Sequence, residues 1–159
     1  MNFPKELHFS DAVYAKAHMI TEQKAAKAKW DKTRKANALT GEILEQAFGE
    51  WADANLGSRF EDNVEEQTGD YHYDFKIDGK LIDIKFVVSE KFFSVSDYCY
   101  DHLNEVDILL FYKPHSTKQN VAVLMGSASG ETVQDTLEPS KKFTGHYMTV
   151  STLEYILDK

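Results

Sequence analysis

Asp74, Asp83 and Lys85 are the residues of this chain best suited to do chemistry, being two carboxylates and an ammonium that one β-hairpin would set on one surface. Asp78-Gly79 separates residues 71–77 from residues 80–88. Asp-Gly between alternating apolar runs signals a two-residue type I′ turn, because both central residues of that turn need positive φ. Pairing Ile77 with Lys80 then sets Phe75 against Ile82, Asp74 against Asp83, Tyr73 against Ile84 and His72 against Lys85. Tyr73, Phe75, Ile77, Ile82 and Ile84 share an apolar face, while His72, Asp74, Asp83 and Lys85 share the other. Directly opposed residues have Cβ atoms about 4.5–5.5 Å apart, so two carboxylates there repel unless a cation lies between them. Mg²⁺ suits the pair, since it typically takes one or two carboxylates with waters and substrate phosphate. The same letters also fit a solvated hairpin face in which Lys76 and Lys85 hold the two aspartates apart.

A helix upstream could add a third carboxylate. Over residues 39–56, Thr40 reads as the N-cap, and Leu44, Ala47, Phe48 and Trp51 recur at i, i+3, i+4 and i+7, the stripe that packs on a sheet. Glu45 lies at the margin of that stripe and Glu42 nearly opposite, so Glu45 is the better candidate and Glu42 the second. Residues 11–38 read as one long helix docked through Val13, Ala17, Ile20 and Trp30. Its basic surface offers Lys27, Arg34 and Lys35 to a phosphate backbone.

Asp74, a nine-residue step and then Asp83-Ile84-Lys85 resemble the signature of the PD-(D/E)xK nuclease superfamily, with Tyr73 standing where the signature has proline. Gly41, followed four residues later by Glu45 and then apolar positions, resembles the first motif of archaeal Holliday-junction resolvases and several restriction enzymes in that superfamily. The resemblance covers residues 39–127. It implies an α/β fold with a restriction-endonuclease-like core, a mixed β-sheet flanked by helices, here with an added N-terminal helix. It also implies a metal-dependent endonuclease that hydrolyses DNA and leaves 5′-phosphates. Asp74, Asp83 and Glu45, with the carbonyl of Ile84, would hold Mg²⁺ or Mn²⁺, and Lys85 would act on the attacking water and the phosphate. A homodimer follows if one small domain is to cut both strands of a duplex.

With 159 residues, 42% of them hydrophobic, the chain suits a single domain over residues 1–159 and not a disordered chain. The expected parts are a basic helical extension (1–38), a core (39–127), and a loop with a final strand and helix (128–159). One cysteine excludes an intramolecular disulfide, and no apolar stretch suits a signal peptide or membrane span, so a cytoplasmic protein is expected. The net charge of −8 opposes binding to a polyanion, yet residues 1–38 hold eight Lys or Arg against four Asp or Glu. Farther along, residues 94–104 read as a helix, 106–112 and 121–125 as paired strands, 127–145 as a mobile loop near substrate, 146–150 as a strand and 151–157 as a helix. Cys99 and His102 could pair as thiol and base, but no third group orients them. Two other readings fit the letters: a non-catalytic binding module on the same fold, and an acidic interaction protein in which D-x-K is chance. Metal dependence separates the first of these from an enzyme.

Overall fold

Asp78 (φ 50°) and Gly79 (φ 79°) make the expected turn between β3 (Phe75–Ile77) and β4 (Lys80–Phe86), with Ile77 facing Lys80 and Phe75 facing Ile82. A computed structural model describes residues 2–63 and 73–159 of the chain, so Glu65, Glu66, Asp70, Tyr71 and His72 lie outside the described residues. The hairpin belongs to a six-stranded sheet that also holds β1 (Glu6–His8), β2 (Phe60–Asp62), β6 (Ile108–Pro114) and β7 (Val121–Ala128), in the order β1-β7-β6-β4-β3-β2. β4 and β6 run parallel and the other neighbours antiparallel, which makes the sheet mixed.

The two central strands explain the apolar run of β6. Leu110 and Tyr112, with Ile82 and Ile84 of β4, meet Leu44, Ala47, Phe48 and Ala52 on one face. Leu109 and Phe111 meet a second core on the other face. A strand covered on both faces cannot alternate apolar with polar. The first face is covered by α1 (Asp11–Ala28) and α2 (Lys32–Leu56). The second is covered by a small three-stranded sheet with short helices packed around it. Its elements are β5 (Phe92–Ser96), α3 (Asp97–His102), α4 (Gly130–Thr136), β8 (Glu138–Pro139), β9 (Gly145–Thr149) and α5 (Val150–Ile156).

Several boundaries differ from the sequence reading. The N-terminal helix ends at Lys29, which is left-handed (φ 56°), and Asp31 opens the next helix by accepting the Arg34 N–H at 2.8 Å. Thr40 is therefore no cap; it sits within α2 with its hydroxyl on the Ala36 carbonyl. Residues 1–38 are also no appendage, since β1 pairs with β7 and Leu7 is buried. Residues 92–96 alternate out and in as a strand, burying Phe93 and Val95, and the helix waits until Ser96 caps the Cys99 N–H. Residues 127–145 are not a loop at the site. Ser129 caps α4, and Val133 and Leu137 are buried in the second core.

α4 can approach the 103–106 connector only because its first residue is Gly130. A Cβ there would overlap the Leu103 carbonyl oxygen and stand 2.6 Å from that of Val106. Gly130→Ala is expected to cost at least about 3 kcal/mol, the upper range for overpacking, in a denaturant melt. Gly41→Ala, inside α2 with nothing within 4 Å of its added Cβ, should instead stabilise by about 0.5–1 kcal/mol.

Candidate active site

β3 stops pairing one residue before the expected Asp74–Asp83 step. The Asp74 N–H donates to the Ile82 carbonyl (2.9 Å), and its side chain then turns along β4, where Oδ2 accepts the Ile84 N–H at 2.8 Å. The carboxylate thus takes the ladder position expected for Tyr73. Tyr73 instead packs against the core on the opposite face from Phe75, with its carbonyl accepting from the Asn63 side chain. The apolar face of the hairpin is therefore Phe75, Ile77, Ile82 and Ile84, without Tyr73. His72 lies outside the described residues.

Where β3 leaves β4, a cleft of about 1020 Å³ opens beside residues 83–86. The α1–α2 pair walls one side, and α3 with its connector walls the other. Asp74 and Asp83 are 3% and 7% exposed and form part of the lining with Ile84 and Lys85. Lys85 lies two residues beyond Asp83 on the same face, and its Nζ is 2.9 Å from Asp83 Oδ2 and 3.7 Å from Cys99 Sγ. Burial disfavours the ammonium, but the Asp83 carboxylate, with Asp74 behind it, outweighs burial and holds the Lys85 pKa well above its ordinary 10.5. Lys85 is thus a fixed positive charge at neutral pH.

Burial pushes the Cys99 thiol up, with Lys85 only partly opposing, so Cys99 is a neutral thiol at pH 7 and a poor nucleophile. His102 gives it no base, because its Nδ1 is held 3.0 Å from Glu105 Oε2. The imagined Cys99–His102 pair is not assembled.

Both candidate glutamates border the cleft, and Glu42 is the more deeply buried of the two. Glu42 is 6% exposed with Lys24 Nζ 3.8 Å from its carboxylate, whereas Glu45 is half-buried. Glu42 is buried although it lies off the apolar stripe, because α1 packs along α2 and covers a second arc of it. Among the described residues, no three of Asp, Glu, His or Cys stand close enough to hold a metal ion, so the expected set of Asp74, Asp83 and Glu45 is not gathered. Two carboxylates are gathered, and the Ile84 backbone beside them has its N–H taken by Asp74.

Lys27 and Arg34 line the cleft, as a substrate-contacting role requires. Lys35 does not line it and pairs with Glu22 on α1. Sequence reasoning missed Trp30 and Tyr98 as cleft residues. An unbroken helix would use Trp30 for docking; the Lys29-Trp30-Asp31 break puts it on the wall instead, with the Arg34 guanidinium 5.1 Å from its ring centroid. The capping aspartate at position 31 was the available signal. Compared with known proteins, the chain matches no family model, no curated protein and no solved structure.

Because the folded pKa of Lys85 is raised, its ion pair contributes fully to stability below about pH 10.5 and loses that contribution as pH rises through the folded value. Melting the protein and its Lys85→Met variant side by side from pH 8 to about pH 12 isolates the effect. The native chain should lose more stability than the variant above about pH 10.5, and equal losses would mean that no such ion pair exists.

Proposed function

We propose that this protein is a metal-dependent nuclease of the PD-(D/E)xK kind, hydrolysing phosphodiester bonds in DNA on a restriction-endonuclease-like core. The observation that carries the reading is the convergence of Asp74, Asp83 and Lys85 in a cleft whose wall bears Lys27 and Arg34. The motif lies on the β3–β4 hairpin of a mixed sheet in which β4 also pairs parallel with β6, which accords with the mixed sheet that the resemblance implies.

The donor set fits Mg²⁺ or Mn²⁺, since two buried carboxylates side by side are hard oxygen ligands and such ions commonly need no more from the protein. Asp74 and Asp83 would hold the ion, with Glu42 or Glu45 as a nearby outer carboxylate. When bound, it supplies Lewis-acid polarisation of the phosphoryl oxygen and an acidified water. Lys85 is protonated at neutral pH, so its role is to donate hydrogen bonds to the attacking oxygen and to the charge growing on the phosphate, not to remove a proton. Lys27 and Arg34 would bind flanking phosphates. Cutting both strands of a duplex would call for a homodimer.

Among the described residues no third carboxylate joins Asp74 and Asp83, and this favours one other reading, a binding module that has kept the fold and lost the chemistry. Supercoiled, linear, single-stranded and four-way-junction DNA, incubated with Mg²⁺, Mn²⁺ or EDTA, separates the two. Cleavage should require the metal and fall by about 10²–10³-fold or more in each of Lys85→Ala, Asp83→Asn and Asp74→Asn. Glu42→Gln should cost more than Glu45→Gln. Intact substrates under every metal would leave the binding module as the reading that stands.

A further inference from the structure

We infer that the cleft takes nucleic acid as an unpaired strand, with bases stacked on Trp30 and Tyr98 and the backbone running past Asp74 and Asp83; this rests on the nuclease reading and names the form of its substrate. The first ground is depth. The two carboxylates are 3% and 7% exposed in a cleft walled on both faces of the sheet. A duplex is stiff over about 150 base pairs, so across a domain of this size it presents its phosphates along a nearly straight line and meets the rim. A single strand can bend its backbone inward.

Aromatic placement is the second ground. Trp30 stands on the α1–α2 wall and Tyr98 on the α3 wall, so rings face the cleft from opposite sides of the sheet. Tyr98 is 51% exposed, with its ring centroid 4.7 Å from that of His102, and Arg34 lies over Trp30. An exposed ring on one wall and a half-buried ring beside a guanidinium on the other make a platform on which unpaired bases stack, whereas in a duplex those base faces are already covered by their neighbours. The third ground is charge. Lys24 and Lys85 also line the cleft but are paired with Glu42 and Asp83, leaving Lys27 and Arg34 as the main phosphate contacts on a chain of net charge −8. Two cations bind a polyanion weakly, so stacking has to supply much of the affinity.

The test measures anisotropy of labelled oligothymidylate, oligouridylate and duplex DNA, each about twelve units long, with the full chain in EDTA so that nothing is cut. Either single strand should bind at least about tenfold more tightly than the duplex, with a log–log salt slope near −1.4 for two phosphate contacts. The tighter of the two strands identifies the sugar. Trp30→Ala and Tyr98→Ala should each weaken strand binding by about 5- to 150-fold, while Trp30→Phe keeps most of it. Tyr98 is exposed enough that its loss leaves the fold intact, which guards against a Trp30 variant that fails to fold. Duplex binding as tight as strand binding, or aromatic variants that bind like the native chain, would overturn the inference. Parallel cleavage assays with Mg²⁺ keep the two failures apart. Cleavage of a tightly bound duplex defeats the strand and leaves the nuclease. Trp30-dependent strand binding with no substrate cut defeats the nuclease and leaves the strand-binding cleft.

Discussion

The hydrogen bond from the Ile84 N–H to Asp74 is the interaction on which the site depends. A strand edge inside a protein carries backbone donors that must be satisfied, and leaving one buried and unpaired costs about 1–3 kcal/mol. In this chain a side chain does what a strand would otherwise do. Asp74 closes the ladder from its own end, so β4 can run on into the cleft without its hairpin partner beside it, and Ile84, Lys85 and Phe86 can all border the same space. The residue that could hold a cation is thus also the one that makes room for it.

That arrangement sets a second demand. Asp83 and Lys85 point to the face covered by the second core, where isolated charges would be strongly disfavoured. They are tolerable because they face each other at 2.9 Å, with Asp74 adding to the field around the ammonium. A buried pair of this kind is weak evidence for stability, since desolvation offsets much of its attraction, but it fixes where both groups sit. The apolar layers on either side, Phe48 and Leu44 behind Ile84 and Val95 and Leu103 on the far side, hold β4 so that the pair cannot drift.

How much of this was legible follows from the range of each signal. The Asp78-Gly79 turn, the register at Phe75 and Ile82, and the buried β6 strand are encoded within a few residues, and the sequence displays them directly. The grouping of Asp74, Asp83 and Lys85 is legible too, although Asp74 joins it by turning along β4 and not by facing Asp83 in the ladder. What failed was decided at longer range or by competition between signals. Glu42 is buried by a neighbouring helix whose position no stripe on α2 reveals. Residues 127–145 are polar enough to read as a loop, yet Val133 and Leu137 suffice to dock a short helix once Gly130 lets it approach. The continuous helix over residues 11–38 was favoured by propensity, and Asp31 capping a new helix overrode it.

Charge then links the floor of the cleft to its walls. Two carboxylates against the one Lys85 ammonium leave the floor formally at −1, a sign that repels a phosphodiester, and the Glu42–Lys24 pair adds nothing to that formal sum. On the nuclease reading, a divalent cation between the two carboxylates turns that −1 into +1 and makes the floor attractive to phosphate. Lys27 and Arg34 contribute on the wall whether or not a cation is present. Binding at the walls and chemistry at the floor are therefore separable by construction: the aromatic and basic wall can hold a strand without metal, and only the loaded floor can draw the backbone down to where Lys85 stands.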